Sequence, residues 1–211
     1  MNIAIVQYNA GNIQSVLYAL ERLGLEAAVT GDADALLSAD KVIFPGVGEA
    51  GSAMRSLRET GLDTVIKELK QPVLGICVGM QLLCTHSEEG DTECLGIVPV
   101  KVKRFPASVN GNGEGFLAGG QTTNGVLKVP QVGWNTIYDL RSPLFQNIKD
   151  HSFIYNVHSY FAEDSQYTIA RCTYGLAYAA AVQKDNFYGV QFHTEKSAEI
   201  GDQILKNFLS L

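Results

Sequence analysis

Apolar positions in the first half of the chain follow two alternating rhythms. Residues 2–7 (Asn-Ile-Ala-Ile-Val-Gln), 26–30 and 41–44 (Lys-Val-Ile-Phe) are short runs suited to buried strands, whereas Val16, Leu17, Leu20 and Leu23 recur at the spacing of one helix face. Asn12 is placed to cap that helix and Gly24 to end it. A short helix is predicted over 33–39 and a longer helical run over 53–70. Strand and helix in alternation predict a parallel sheet covered by helices. Beyond the middle of the chain the rhythm changes to β-rich runs at 98–105, 134–137, 153–157, 167–172, 177–183 and 187–192, several of them expected to be antiparallel. An amphipathic helix over 198–209 then carries Ile200, Ile204, Leu205 and Phe208 on one face. The expectation is an α/β fold: an open, mostly parallel twisted sheet flanked by helices, with additional antiparallel strands in the second half. Residues 1–211 read as a single domain.

One junction stands apart. In Pro72-Val-Leu-Gly-Ile-Cys-Val-Gly-Met-Gln-Leu-Leu83 an apolar strand (Val73, Leu74, Ile76) gives way to helical spacing (Met80, Leu82, Leu83), and Cys77 sits at the turn between Gly75 and Gly79. Small flanking residues let strand and helix pack around a sharp elbow of the kind that exposes a Ser or Cys nucleophile. The start of the helix then favours thiolate over thiol and offers the Val78 N–H to a developing oxyanion. A buried, inert cysteine is the competing reading, and the paired glycines at a strand-to-helix switch weigh against it.

Composition narrows the classes. The 211 residues, 46% hydrophobic and 18% charged, describe an ordinary globular protein, and the net charge of −6 argues against nucleic-acid binding. Lys101, Lys103 and Arg104 form the only dense basic cluster, alternating as on a strand edge. Met1 leads directly into strand-like sequence, so a cytoplasmic location is expected. Cys77, Cys84, Cys94 and Cys172 show no CxxC or His/Cys ligand spacing, so neither a metal site nor a disulfide framework is expected, and no cofactor. Residues 110–125 hold six glycines (Gly111, Gly113, Gly115, Gly119, Gly120 and Gly125), a composition suited to a surface loop.

A cysteine nucleophile needs a base, and the chain has four histidines. His193 ends the strand-like Phe187-Tyr-Gly-Val-Gln-Phe192, and Glu195, two positions on, projects to the same side of an extended chain. The carboxylate would orient the imidazole, which would activate Cys77 and protonate a leaving amine. His86 reads as a solvated helix end, His151 as part of a polar turn, and His158 as a structural or pocket-lining residue. Pro45-Gly-Val-Gly48 follows the third strand, at the carboxyl end where open α/β sheets bind ligands. There an N–H of Val47 or Gly48 would complete an oxyanion hole with that of Val78.

Pro45-Gly-Val-Gly48, Gly75-Ile-Cys-Val-Gly-Met-Gln81 and Gly189-Val-Gln-Phe-His-Thr-Glu195, three separated motifs in this order along the chain, together resemble class I, triad-type glutamine amidotransferases. Tyr8-Asn-Ala-Gly-Asn-Ile-Gln-Ser-Val16, Pro130-Gln-Val-Gly-Trp-Asn135, Asn156-Val-His-Ser-Tyr160 and Glu195-Lys-Ser197 narrow the likeness to the glutaminase subunits of imidazole glycerol phosphate synthase. The resemblance implies hydrolysis of glutamine through a thioester on Cys77, with His193 and Glu195 completing a triad. It assigns substrate contacts to Gly46, Val47, Gly48, Val78, Gln81, Ser159 and Tyr160. Partner contacts fall at Asn12, Trp134 and Lys196. The implied partner is a separate cyclase subunit with a (βα)8 barrel, which would receive the ammonia in a heterodimer, and its docking near residues 130–135 would turn the Val47 peptide to complete the oxyanion hole.

Thr194 stands where the family usually has proline, and the glycine-rich segment is longer than the family pattern. A glutaminase for another synthase, a non-catalytic scaffold subunit and a cysteine-peptidase-like hydrolase are the alternatives. The motifs around Trp134 and His158 favour imidazole glycerol phosphate synthase over another synthase, the intact Cys77, His193 and Glu195 weigh against a scaffold, and nothing in the sequence identifies a groove for an extended peptide.

Overall fold

A computed structural model describes residues 1–9, 12–108 and 127–211; the glycine-rich 110–125 segment lies outside the described residues. The first half alternates as its periodicity predicts: β1 (Ile3–Val6), α1 (Ile13–Arg22), β2 (Ala28–Thr30), α2 (Ala33–Ser38), β3 (Lys41–Gly46), α3 (Ala50–Thr60), α4 (Leu62–Glu68), β4 (Val73–Cys77) and α5 (Val78–Leu83). The predicted helical run over 53–70 is in fact two helices. Gly61, at φ 73°, takes a left-handed conformation that ends α3 and turns the chain into α4. Asn12 precedes α1 but makes no side-chain cap; its amide is committed elsewhere.

The second half contributes β5 (His86–Ser87), β6 (Thr92–Glu93), β7 (Lys101–Arg104), β8 (Gln131–Tyr138), β9 (Ser152–His158), β10 (Tyr160–Ala162), β11 (Thr168–Tyr174), β12 (Leu176–Lys184), β13 (Phe187–Val190) and the closing helix α6 (Ala198–Leu209). His86 therefore lies in a short strand, where its Nε2 is 2.8 Å from Asp91 Oδ1, and not at a helix end. The basic strand β7 is not an edge either: it pairs with both β10 and β5.

Among the described residues the strands join in one open mixed sheet, with β2-β1-β3-β4-β13 parallel and β13-β12-β10-β7 antiparallel; β11, β8 and β9 extend from β12. Strands β1, β3, β4 and β13 are buried along their whole length, which is why they read as continuous apolar runs without alternation. Phe44, Ile43, Leu20, Met54, Leu57, Phe192 and Phe208 are among the fully buried side chains of the core. Among the described residues no helix is long and apolar enough to cross a membrane.

Candidate active site

The register of β4 places the site. β4 lies between β3 and β13, with Gly46 opposite Cys77 on one side and Val190 opposite Ile76 on the other. Cys77 thus reaches the carboxyl end of the central parallel strands, where the chain must turn. It does so at φ 55° and ψ −112°, a conformation costly for any residue with a Cβ, of order 1–3 kcal/mol. The helix after it packs very closely on β3: a Cβ on Gly79 would lie 1.8 Å from the Phe44 carbonyl oxygen. The elbow is therefore held by backbone packing that only glycine permits.

Cys77 is only 4% exposed, yet its side chain borders a cleft of about 530 Å³. The cleft is also lined by Asn12, Val47, Gly48, Val78, Gln81, Glu89, Pro130, Val157, His158, Ser159, Tyr160, His193 and Lys196. Most residues singled out in the sequence meet here. Two do not. Gly46 lies behind the wall, where a Cβ would come within 2.7 Å of both Tyr8 Oη and Gly79 N, so its part is close packing. Trp134 stands on β8 outside the cleft, 45% exposed, edge-on to Tyr155.

His193 arrives from the end of β13 and is anchored by its own backbone: its N–H donates to Tyr155 O at 3.0 Å, and its carbonyl accepts Ser197 Oγ at 2.6 Å. Its Nδ1 lies 2.7 Å from Glu195 Oε1. The expected extended His-Thr-Glu segment is instead a 3-10 turn over Thr194–Lys196, which folds the carboxylate back onto the ring. A carboxylate accepts only, so Nδ1 carries the proton and Nε2 is left for the sulfur. Burial disfavours the imidazolium, but hydrogen bonds to Cys77 and Glu195, and their negative charge, outweigh it and push His193 up to about 10. Asn12 Nδ2 donates to the same Glu195 oxygen and sits 3.5 Å from His193 Nδ1. Asn12, expected at a partner surface, here meets the histidine-carboxylate pair.

His158 has a different character. Its Nδ1 is 2.8 Å from Tyr160 O and its Nε2 3.3 Å from Tyr178 Oη. Burial pushes it down to about 4, against the carbonyl contact that favours the charged form, so it lines the cleft as a neutral donor to backbone. Gln81 donates from Nε2 to Tyr160 O and to Gln191 Oε1, each at 3.0 Å. On the loop side Gly48 stands at φ 94°, open to solvent space, and Val47 and Gly48 line the same cleft as Cys77. The other cysteines are remote from this chemistry: burial raises the Cys84 thiol, and pushes those of Cys94 and Cys172 up to about 11.

The sequence reading passed over Tyr8, Gln191 and Glu89. Tyr8 Oη donates to Pro45 O at 2.8 Å in the buried floor of the elbow. Glu89 lines the cleft while accepting the Ala50 N–H at 2.8 Å. In the sequence Tyr8 opens the Tyr8–Val16 motif and Gln191 is an amide inside an apolar strand run, but neither position was given a role of its own.

A family model for "Glutamine amidotransferase class-I" matches residues 4–211. The chain belongs to the class-I glutamine amidotransferases. It is 52% identical over 211 residues to the imidazole glycerol phosphate synthase subunit HisH of Bacteroides fragilis, covering all of both chains. It is 44% identical over 213 residues to the subunit of the same name from Escherichia coli strain K12, again covering all of both. Among solved structures, one titled "Crystal structure of glutamine amidotransferase" superposes with a TM-score of 0.69 at 16% identity, over 100% of this chain and 98% of that one, which shows a shared fold. A cysteine at an elbow, an imidazole paired with a carboxylate and a shared cleft are the kinds of group that acyl transfer from an amide calls for.

Proposed function

We propose that the chain, acting as one domain over residues 1–211, is the glutaminase subunit of imidazole glycerol phosphate synthase and works through Cys77, His193 and Glu195. The Cys77 thiolate attacks the carboxamide carbon of glutamine, and the C–S bond forms as the carbonyl becomes an oxyanion. The Val78 N–H, with an N–H from the Val47–Gly48 segment, receives that charge. His193, protonated at Nε2, gives its proton to the nitrogen as the C–N bond breaks and ammonia leaves. The imidazole then takes a proton from water, which attacks the thioester and releases glutamate. Glu195 keeps Nδ1 protonated and offsets the imidazolium charge throughout. Gln81, Ser159 and Tyr160 bound the space for the glutamine α-amino and carboxylate groups.

The observation that carries this reading is the His193–Glu195 pair, with its raised imidazole, facing a cysteine in a strained elbow on one cleft. The synthase assignment rests on full-length likeness to the HisH subunits. Ammonia would pass to a separate cyclase subunit, a (βα)8 barrel, in a cytoplasmic heterodimer. A surface suited to such docking is the outer face of the β8–β9 hairpin, where Val132, Trp134, Phe153 and Val157 are exposed and share one side of the paired strands. Val157 and Pro130 also border the cleft, as does exposed Lys196. Docking there is continuous with the wall facing Val47–Gly48, where a peptide turn would complete the oxyanion hole only in the complex.

Substitution Cys77→Ala tests the assignment. It should abolish synthesis from glutamine while the partner's synthesis from ammonium salts persists. Loss of both would make Cys77 a structural residue of the complex.

A further inference from the structure

Gln191 is fully buried in the wall beneath the cleft. Parallel pairing of Val190 with Ile76 sets the next residues, Gln191 and Cys77, side by side. Gln191 Nε2 lies 3.8 Å from Cys77 Sγ, and its Oε1 lies 3.0 Å from Gln81 Nε2.

The direction of these contacts is fixed from one end. The Tyr160 carbonyl can only accept, so the Gln81 atom 3.0 Å from it is the NH2 group. That same NH2 faces Gln191, so the facing Gln191 atom is the oxygen, and the Gln191 NH2 is turned to the sulfur. The opposite orientation would set two NH2 groups against each other and an oxygen against the sulfur, leaving buried polar groups mismatched. The other contacts of the sulfur, the Val157 carbonyl 3.9 Å away and the His193 imidazole, leave room for this donor. An N–H aimed at sulfur favours its negative form.

We propose that Gln191 is a catalytic residue: its amide donates to Cys77 Sγ and stabilises the thiolate, with Gln81 and the Tyr160 carbonyl setting its orientation. The glutaminase reading is needed only to say which reaction that thiolate serves. The amide is positioned before substrate arrives, so the effect belongs to the free enzyme.

The test is the pH dependence of Cys77 alkylation by iodoacetamide in the full chain, followed by mass of the Cys77 peptide. The thiolate displaces iodide and forms a C–S bond, and the thiol does not react. Gln191→Met should slow alkylation near pH 7 about tenfold, with the rate recovered at high pH, because a hydrogen bond to an ionised group is lost. Gln191→Glu keeps an acceptor for Gln81 but sets a carboxylate beside the sulfur, and should move the midpoint further to high pH. An unchanged midpoint in a folded Gln191→Met chain overturns the proposal. A reading on the unsubstituted protein removes dependence on the variants' folding. With 15N-labelled glutamine residues, one side-chain amide should shift at the alkylation midpoint and cease to titrate in Cys77→Ala. Absence of any titrating amide also overturns the proposal. No glutamine is used, so failure to hydrolyse glutamine beside normal alkylation profiles would count against the assigned reaction alone.

Discussion

His193 Nδ1 and Glu195 Oε1 lie 2.7 Å apart, two residues along a single 3-10 turn. The carboxylate fixes the tautomer, so Glu195→Gln, which offers the ring an ambiguous amide, should lower kcat for glutamine by about 10²-fold or more with little change in KM. The pair also carries a pH signature. His193 is raised from 6.5 to about 10, so its contribution to stability is fully present below about pH 6.5 and is lost as pH rises through 10. In urea unfolding, the stability difference between the native chain and Glu195→Gln should be largest near pH 6 and shrink toward pH 10.

Tyr8 is buried, and its hydroxyl holds the Pro45 carbonyl just ahead of the Val47–Gly48 peptide. Tyr8→Phe leaves that carbonyl without this donor and should cost about 1 kcal/mol in denaturant unfolding. If the contact positions the oxyanion loop, kcat should fall several-fold while KM for glutamine stays within about twofold. A pure stability loss with unchanged kcat would confine Tyr8 to packing.

His158 titrates in the opposite sense to His193. Its folded value, near 4, lies below the unfolded one, so its stabilisation is present above about pH 6.5 and is lost as pH falls toward 4. His158→Gln should flatten the decline in unfolding free energy between pH 6.5 and 4, measured by equilibrium denaturation. The facing titratable groups, Tyr178 and His193, do not account for that slope: burial keeps Tyr178 neutral throughout, and His193 is protonated over the whole interval.

Thr194 is fully buried with an unpartnered hydroxyl and occupies the first position of its 3-10 turn, after an extended His193 at ψ 102°. Both features suit proline, which is at home at a first helical position behind an extended residue. Thr194→Pro should raise stability by about 0.4–1 kcal/mol in thermal or urea unfolding, with glutamine turnover retained. Destabilisation would mean that the Thr194 N–H is needed.

Much of this was legible because the central strands are buried on both faces and so write themselves as apolar runs, and because Cys77, His193 and Pro45 each mark a strand's carboxyl end. The break at Gly61 was harder to read, since apolar spacing continues across it into Leu62 and Ile66 while the backbone turns. Short strands such as Tyr160–Ala162 carry too few residues for a period to emerge. Asn12 was misread as a cap because a cap is a local expectation, whereas its contact with Glu195 spans 183 positions and exists only after the sheet assembles. Gln191 owes its place to register between two parallel strands, which no single segment encodes.

A cysteine glutaminase governed by a partner should idle until that partner docks. The most direct measurement is glutamate release from glutamine by the purified chain, alone and with the cyclase subunit plus its nucleotide ligand. Release should be slow for the chain alone and strongly stimulated in the complex, and both rates should be abolished in Cys77→Ala. A high rate alone that the cyclase leaves unchanged would contradict this control by the partner.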